Sequence, residues 1–509
     1  MLKTILPGEM KELETRFMKR THISSLRLME SAAAHVADAV ERHCRGGTVE
    51  CFCGPGNNGG DGLAAMRILA GRLPEMEGVC YLISQNLSPD AAAQLERLSR
   101  TAPHVKVKPF SACEREPAKE TGLIIDALFG TGLTRSLEGN AALACEQMRQ
   151  ASTRGVPVVA VDIPSGLDGE NGQVLGCAVQ ATETVTFHRP KPGLYLGKGP
   201  DFCGKVTVVD IGIPQDEPAP EGFSLLGEAD LPNLLPKRPH LSHKGSYGRL
   251  LVVAGSRGMA GAAALCATAA LRSGAGLVTV ACPEEILSIV QTLCPCATAL
   301  PLPEDIFGAL TLLRKPLHQA DAVAIGCGLG QSPWAASLVQ GVIEMIRTNS
   351  KPAVLDADAL NLLASCYELP PAIEGCILTP HPAEAARLLH STTAVVTGDP
   401  VRAAKDLCKK YGAAVVLKGA ISMLATKERM GLNTFGTPAM AKGGSGDVLT
   451  GVIGAFLAGR AAGAYEMDDL LLMQTACAAH GLAGMAAEKC FGMRGVLATD
   501  LCGELGRVF

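Results

Sequence analysis

Short apolar or β-branched runs that break at a Gly- or Asp-bearing turn and pass straight into a helical period recur along this sequence. Residues 48–53 (TVECFC) form one such run, followed by the turn 54–62 (GPGNNGGDG) and then by Leu63, Met66, Ile68 and Leu69 at helical spacing. The order returns at 78–84, at 122–126 before the loop 127–135, and at 156–162 before 163–168 (IPSGLD). Strands alternating with helices predict a parallel, doubly wound α/β sheet. An amphipathic helix over 24–44, with Leu28, Ala32, Val36 and Val40 on one face and Ser24 as its cap, precedes the first strand. In such sheets ligands sit outside the carboxyl ends of the strands, where the polar residues gather here: Asn57, Asn58 and Asp61, then Asp126 with 130–135, then Asp162 and Ser165. Singly, each is an ordinary turn residue. Three such loops facing one crevice predict a site. The NNGGDG spacing does not bring a pyrophosphate against a helix, which argues against hydride transfer.

Residues 213–239 are rich in Pro and charge without a sustained period, and this linker places a domain boundary near 222. Beyond it the alternation resumes, with strands expected at 248–254, 277–281, 321–326, 352–355, 376–378 and 413–417 and an Ala-rich helix at 261–273. The second half closes on 434–451 (TFGTPAMAKGGSGDVLTG), a Gly-rich loop that runs into a helix starting near Asp447. Gly443, Gly444 and Gly446 leave backbone N–H groups open, and the helix dipole points at the same spot, so an anion site is expected. Asp447 suits a base that removes the proton of a hydroxyl attacking a phosphoryl group. It equally suits an N-cap. No repeat of 20 to 50 residues is visible.

A chain of 509 residues exceeds one ordinary core, and two large domains fit the pattern. Its 57 Gly and single Trp predict tight loops and helices packed through small side chains, and a net charge of −4 offers no basic field for nucleic acid or anionic membrane. The 19 Cys are scattered, and the pairs Cys51/Cys53 and Cys294/Cys296 lack zinc-knuckle spacing; they are expected to be buried, reduced thiols. With no basic region and apolar core at the N-terminus, a cytoplasmic protein is expected. The uncharged stretch 470–487 imitates a membrane span, but Gln474, Thr475 and His480 within it favour a buried helix.

GPGNNGGDG, DALFGTGL at 126–133 and VDIPSGLDGENG at 161–172 resemble the NAD(P)H-hydrate epimerase family. The resemblance implies a Rossmann-like domain over 1–222 that interconverts the R and S hydrates of NADH and NADPH (NADHX and NADPHX) beside a potassium ion. By matching positions, Asn58, Asp126 and Ser165 would be cation ligands and Asp162 the acid/base. Asn57, Asn58, Gly59, Gly60 and Asp61, with Gly130, Thr131, Gly132, Leu133, Thr134 and Arg135, would hold the substrate. Lys191 in RPKPGL is a secondary candidate, for which a solvated surface lysine is the plainer account.

HLSHKGSYGRLLVVAGS, VLDADALN, TPHPAEAARLL, VLKGA and MAKGGSGDVLTG, in this order, resemble the ADP- or ATP-dependent NAD(P)H-hydrate dehydratases, a branch of the ribokinase-like fold. This implies an α/β sandwich over 223–509 that phosphorylates the hydrate and then loses phosphate, with magnesium accompanying ADP or ATP. Asp447 would be the base. Lys418, Gly419, Ala420, Ile421 and Ser422, with Gly444, Ser445 and Gly446, would bind the nucleotide, and Ala260, Gly328 and His381 would lie against the nicotinamide. His381 between two prolines could instead be a loop histidine, and Lys418 a surface lysine. Cys327 stands where the family commonly has Pro before GLG, with an expected effect on loop stiffness alone. The expected partners are small molecules, with no nucleic acid or membrane, and self-association into a homo-oligomer is expected. The rival reading is a ribokinase-class small-molecule kinase carrying a non-catalytic nucleotide-binding module at its N-terminus.

Overall fold

The computed structural model describes residues 2–110, 121–220, 222–365 and 372–508, so Cys113, Cys366 and Glu221 of the linker lie outside the described residues. By its contacts the chain divides into one compact unit over Lys3–Phe223 and another over Ser224–Phe509 that also takes in Met1–Leu2.

In the first unit seven parallel strands lie in the order Lys106–Pro109, Gly78–Leu82, Thr48–Cys53, Thr121–Ala127, Val158–Val161, Glu183–Phe187 and Lys205–Val209. Alternation explains why the central strands read as unbroken apolar runs. Val49, Cys51 and Cys53 face one core beside helices Ser25–His43 and Asn57–Arg72, while Phe52 faces another beside helix Gly139–Thr153. The chain works outward from Thr48–Cys53 and then returns to its other side at Thr121–Ala127. The crevice between these two strands is the switch point at which open α/β sheets bind ligands.

The second unit's sheet has eleven strands among the described residues, ordered Thr298–Leu302, Leu277–Pro283, Arg249–Val253, Ala322–Ile325, Ala353–Leu355, Cys376–Leu378, Ala414–Leu417, Ser422–Ala425, Met430–Asn433, Ser224–Leu225 and the two-residue Leu2–Lys3. Pairing is parallel through Ala414–Leu417, and the hairpin after it adds two antiparallel strands. Here the switch point falls between Arg249–Val253 and Ala322–Ile325. Helix Ser445–Ala461 is buried continuously from Val448 to Gly459, and its Gly451 faces the carbonyl of Cys266 so closely that a Cβ would stand 2.2 Å from that oxygen. Small side chains set this helix-to-helix distance.

Several expectations shift in detail. The helix expected after Gly62 starts at Asn57, so Asn57 to Asp61 form its first turn and not a loop. Gly59 permits this turn, because a Cβ there would lie 2.0 Å from the Gly54 carbonyl oxygen. Ser24 flanks helix Ser25–His43 without a side-chain cap, and the helix after the Gly-rich loop begins at Ser445, two residues ahead of Asp447. Cys51, Cys53 and Cys294 are buried, whereas Cys296 is exposed. Helix Asp469–Phe491 is long and apolar enough to cross a membrane, yet 72% of its most apolar window is buried within the structure. Its polar residues have internal partners: Gln474 Nε2 donates to the Ser224 carbonyl at 2.9 Å, and His480 Nε2 lies 2.9 Å from the Ser445 carbonyl.

Two candidate active sites

In the first unit Val158–Val161 delivers Asp162 in a left-handed conformation, φ 66°, which turns its side chain back under the sheet end. Lys191 Nζ donates to Asp162 Oδ1 at 2.5 Å, and Thr186 Oγ1 donates to the same oxygen at 3.0 Å. Lys191 is therefore not a surface lysine. Its side chain is 1% exposed, and an ammonium so placed persists only when paired and hydrogen-bonded. Two further acids join this pair. Glu14, on helix Pro7–Thr21, is pushed up to about 7 by burial, with Lys191 pulling it down and Asp162 adding to the rise. Asp61 is held well above the usual carboxylate range by burial and then by the charges of Asp162, Glu14 and Asp90. No motif marks Glu14, because a lone acid on an amphipathic helix is indistinguishable in sequence from a solvated one.

Across the switch point Asp126 and Ser165 are fully buried and joined: Ser165 N and Oγ donate to the two Asp126 oxygens at 2.8 and 2.6 Å. Burial pushes Asp126 up to about 6 against these bonds. The Phe129 carbonyl lies 3.1 Å from Ser165 Oγ, and Asn58 Oδ1 lies 2.8 Å from where a Cβ on Gly130 would sit. Asn58 Nδ2 is buried without a partner. The Asp126 and Ser165 oxygens and the Phe129 carbonyl thus meet at one buried point, with the Asn58 side-chain oxygen against the neighbouring Gly130. Asn57 instead bonds Ser88 Oγ at 2.9 Å; Gly132, Thr134 and Arg135 are exposed, Thr131 is half-buried, and Leu133 packs against the core that contains Phe52.

In the second unit the Gly-rich loop enters helix Ser445–Ala461 through Gly444 at φ 94°, where a Cβ would also press on Ala498 and Leu265. Asp447 sits in the first turn and is pushed up to about 6, mainly by burial; a bond from the Cys327 thiol opposes this and the Asp356 charge adds to it. The departure at Cys327 therefore touches the candidate base itself and is not confined to loop stiffness. Cys327 packs beside Cys266, which together with burial keeps its thiol protonated. Gly328 follows, with a left-handed φ of 61°, under Met259 and Ala262, beside Ala260 at the start of helix Ala260–Arg272.

Lys418 leaves the strand Ala414–Leu417 and donates to Asp356 Oδ1 at 2.6 Å, with Glu384 Oε2 3.9 Å away. It is not a surface lysine either. Burial pulls its pKa down, but Asp356 and then Glu384 outweigh this and hold it above the ordinary value. Thr450 Oγ1 donates to the other Asp356 oxygen at 2.6 Å, tying the helix one turn below Asp447 to the lysine's partner. A Cβ on Gly446 would stand 3.5 Å from Lys418 Nζ, so loop, lysine and Asp356 meet at one point. His381 caps helix Pro382–Leu388 through Nδ1, which accepts from Ala383 N at 3.1 Å; burial and the charges of Lys418 and Arg387 lower its pKa and favour the neutral ring. Gly419 and Ala420 are exposed beyond Lys418, Ile421 is half-buried, and Ser422 opens the strand Ser422–Ala425. Ser445 is held at both ends, with Oγ donating to Met440 O at 2.7 Å and its own carbonyl against His480. Sequence reasoning passed over Asp356, Thr450 and His480 as functional residues, although VLDADALN contained the first of them.

A doubly wound unit with a buried carboxylate–lysine pair, followed by an α/β sandwich that presents a carboxylate in the first turn of a helix after a Gly-rich loop, has the make-up of a two-domain enzyme with one candidate site in each unit. Residues 25–193 match the family described as YjeF-related protein N-terminus, and residues 250–507 match that described as NAD(P)H-hydrate dehydratase. The sequence is 37% identical over 521 residues to the bifunctional NAD(P)H-hydrate repair enzyme Nnr of Moorella thermoacetica, covering 98% of this chain and 94% of that one. It is 38% identical over 501 residues to the enzyme of the same name from Coxiella burnetii, with coverage of 97% and 96%. The crystal structure of hypothetical protein SMU.573 from Streptococcus mutans aligns with 56% of this chain and 98% of its own, at a TM-score of 0.50 and 27% identity. The chain belongs to the family of bifunctional NAD(P)H-hydrate repair enzymes, with an epimerase domain followed by a dehydratase domain. Its first unit is a Rossmann-like doubly wound sheet, and its second is an α/β unit built on one mostly parallel sheet.

Proposed function

We propose that residues 1–222 epimerise R and S NAD(P)H hydrates at the Asp162–Lys191 site, and that residues 223–509 dehydrate the S form at Asp447 at the expense of ADP or ATP. The observation that carries the second half is Asp447 in the first turn of an anion-binding helix, with its pKa raised to about 6 and Lys418 beside the loop. Asp447 takes the proton of the hydrate's hydroxyl as that oxygen accepts the terminal phosphoryl group of the nucleotide. The N–H groups of Gly444, Ser445 and Gly446 and the Lys418 ammonium offset the charge in transfer. Phosphate then leaves where hydroxide would not, a neighbouring C–H proton is lost, and the nicotinamide C=C bond returns. Lys418 with Gly419 to Ser422 holds the nucleotide, while Ala260, Gly328 and His381 border the nicotinamide. Among the described residues no group of three or more His, Cys, Asp or Glu is arranged to hold a metal. This donor set fits a magnesium ion carried mainly by the nucleotide phosphates, where it would neutralise charge.

In the first unit the hydrated carbon bears both a hydroxyl and the ring nitrogen. A carboxylic acid that protonates the hydroxyl lets the nitrogen lone pair expel water. Water returning to the opposite face, and giving its proton to a carboxylate, yields the other epimer. Glu14 and Asp61, both held toward the protonated form, supply the acid, and Asp162, fixed by Lys191 and Thr186, supplies the carboxylate. Asn58, Asp126, Ser165 and the Phe129 carbonyl would hold a potassium ion through their oxygens, and the ion would polarise substrate oxygens; the gathering of hard oxygen donors at this point supports it. The residues 57–61 and 130–135 line the substrate's path. We place the protein in the cytoplasm, in keeping with the 17 free cysteines among the described residues. Self-association rests on the resemblance alone, since the Ala- and Gly-rich helices bury their small residues inside their own unit.

The test is recovery of reduced-nicotinamide absorbance from mixed NADH hydrates with ADP or ATP, with and without potassium. Full recovery, past the S fraction, requires both activities. A small-molecule kinase would instead accumulate a phosphorylated substrate and release no NADH.

A further inference from the structure

Beside the second unit's switch point, on the side away from Lys418, lies a cleft of about 600 Å³ that no step above uses. It opens at the carboxyl ends of four strands and is lined by Ser256, Leu329, Trp334, Glu284, Glu285 and Glu304. Its floor is continuous with the nicotinamide site, because Ser256 Oγ donates to the Gly328 carbonyl at 2.8 Å and Leu329 is the next residue. Trp334 is the sole Trp of the chain, and its indole Nε1 is buried without a partner. Among the described lining residues there is no Lys or Arg, and Arg257, adjacent in sequence to Ser256, does not line the cleft. Ser332, at the rim, caps helix Pro333–Thr348, so a helix end contributes about half a positive charge, against three carboxylates.

The chemistry of this lining selects its ligand. An indole face suits an aromatic base, and carboxylates accept hydrogen bonds from vicinal hydroxyls and amines while repelling phosphate. The substrate is a dinucleotide, so its adenosine must lie to one side of the nicotinamide. The nucleotide donor is held at Lys418, three strands beyond Ala322–Ile325, about 14 Å away at the usual strand spacing. The cleft lies on the other side. We infer that this cleft is the subsite for the adenosine half of the hydrate, and that Glu284, Glu285 and Glu304 disfavour a 2′-phosphate, making NADH hydrate the preferred substrate over NADPH hydrate. This rests on the dehydratase reading of the site.

The single Trp lets occupancy be read directly. In the full chain, NAD⁺ should quench Trp334 emission at roughly five- to tenfold lower concentration than NADP⁺, a ratio typical of a few partly exposed charges. The double variant Glu284→Gln/Glu285→Gln should narrow that gap by improving NADP⁺ alone. With the two S hydrates as substrates, the same variant should raise kcat/KM for NADPH hydrate roughly fivefold and leave the KM for ADP or ATP unchanged. Equal quenching by both dinucleotides, no quenching, or a change in the nucleotide's KM in place of the hydrate's would overturn the inference. A Trp response without regeneration of NADH would instead remove the dehydratase reading and leave a dinucleotide cleft in place.

Discussion

Each unit joins a buried carboxylate to a lysine at nearly the same distance, 2.5 Å for Asp162–Lys191 and 2.6 Å for Asp356–Lys418, yet the two pairs leave opposite partners available. In the first, the lysine is sealed at 1% exposure and its carboxylate reaches the crevice. In the second, the carboxylate is sealed at 2% while the lysine keeps 20% of its surface. The first pair thus presents a carboxylate locked in its charged partnership, suited to proton traffic. The second presents a cation, suited to a nucleotide phosphate, and a different acid, Asp447, does the proton work. One motif of charge pairing serves two chemistries because burial decides which end of the pair meets the ligand.

The sharpest break in this comparison is a pair of substitutions. Asp447→Asn should lower dehydration by about 10³-fold and leave R–S interconversion intact, and Asp162→Asn should do the reverse, within the range of about 10²–10⁴ for a general base. Separate assays of NADH recovery and of epimer ratio read the two. If either substitution disabled both reactions, the division of labour between the units would be wrong. Stability comes next. Lys191→Ala, which strands Asp162, and Lys418→Ala, which strands the still more buried Asp356, should each cost about 3–5 kcal/mol in its own unit, and only Lys418→Ala should raise the KM for nucleotide. Urea unfolding followed unit by unit would detect both losses.

The pH limbs should run in opposite directions. Asp447 acts as a base only when deprotonated, so dehydratase kcat/KM should fall about tenfold per unit below its pKa of about 6. Glu14 acts as an acid only when protonated, so epimerisation should decline as pH rises past about 7, and Glu14→Gln should lower its rate and flatten that limb. Initial rates from pH 5 to pH 8.5 or so test both limbs. The smallest effect belongs to Thr450→Val, which deprives Asp356 of one of its two partners at 2.6 Å and should cost about 1–2 kcal/mol with a modest rise in nucleotide KM. An unchanged KM would mean that Asp356 holds Lys418 without help from the helix.

Much of the fold was legible. Unbroken apolar and β-branched runs located the central parallel strands because those strands are buried on both faces and admit few polar residues. Short or peripheral strands escaped. Lys106–Pro109 carries two lysines at a sheet edge, and Ser422–Ala425 and Met430–Asn433 form a hairpin whose four-residue arms are too brief for periodicity to register. The start of helix Asn57–Arg72 was placed late because Asn-Asn-Gly-Gly reads as a turn by local preference. Tertiary contact with the Gly54 backbone overrides that preference.

The sequence by itself determined the order of elements, the two glycine-rich loops and the acids that follow them, since backbone freedom and strand ends are local properties. Only the tertiary structure decided how those acids are charged. Lys191 read as a surface lysine, and Lys418, expected at the nucleotide, admitted the same account, until strand ends more than twenty residues away supplied Asp162 and Asp356. Glu14 and Cys327 gained a place in the sites for the same reason: a side chain's protonation and reach are set by what surrounds it in space, and sequence spacing carries no record of that environment.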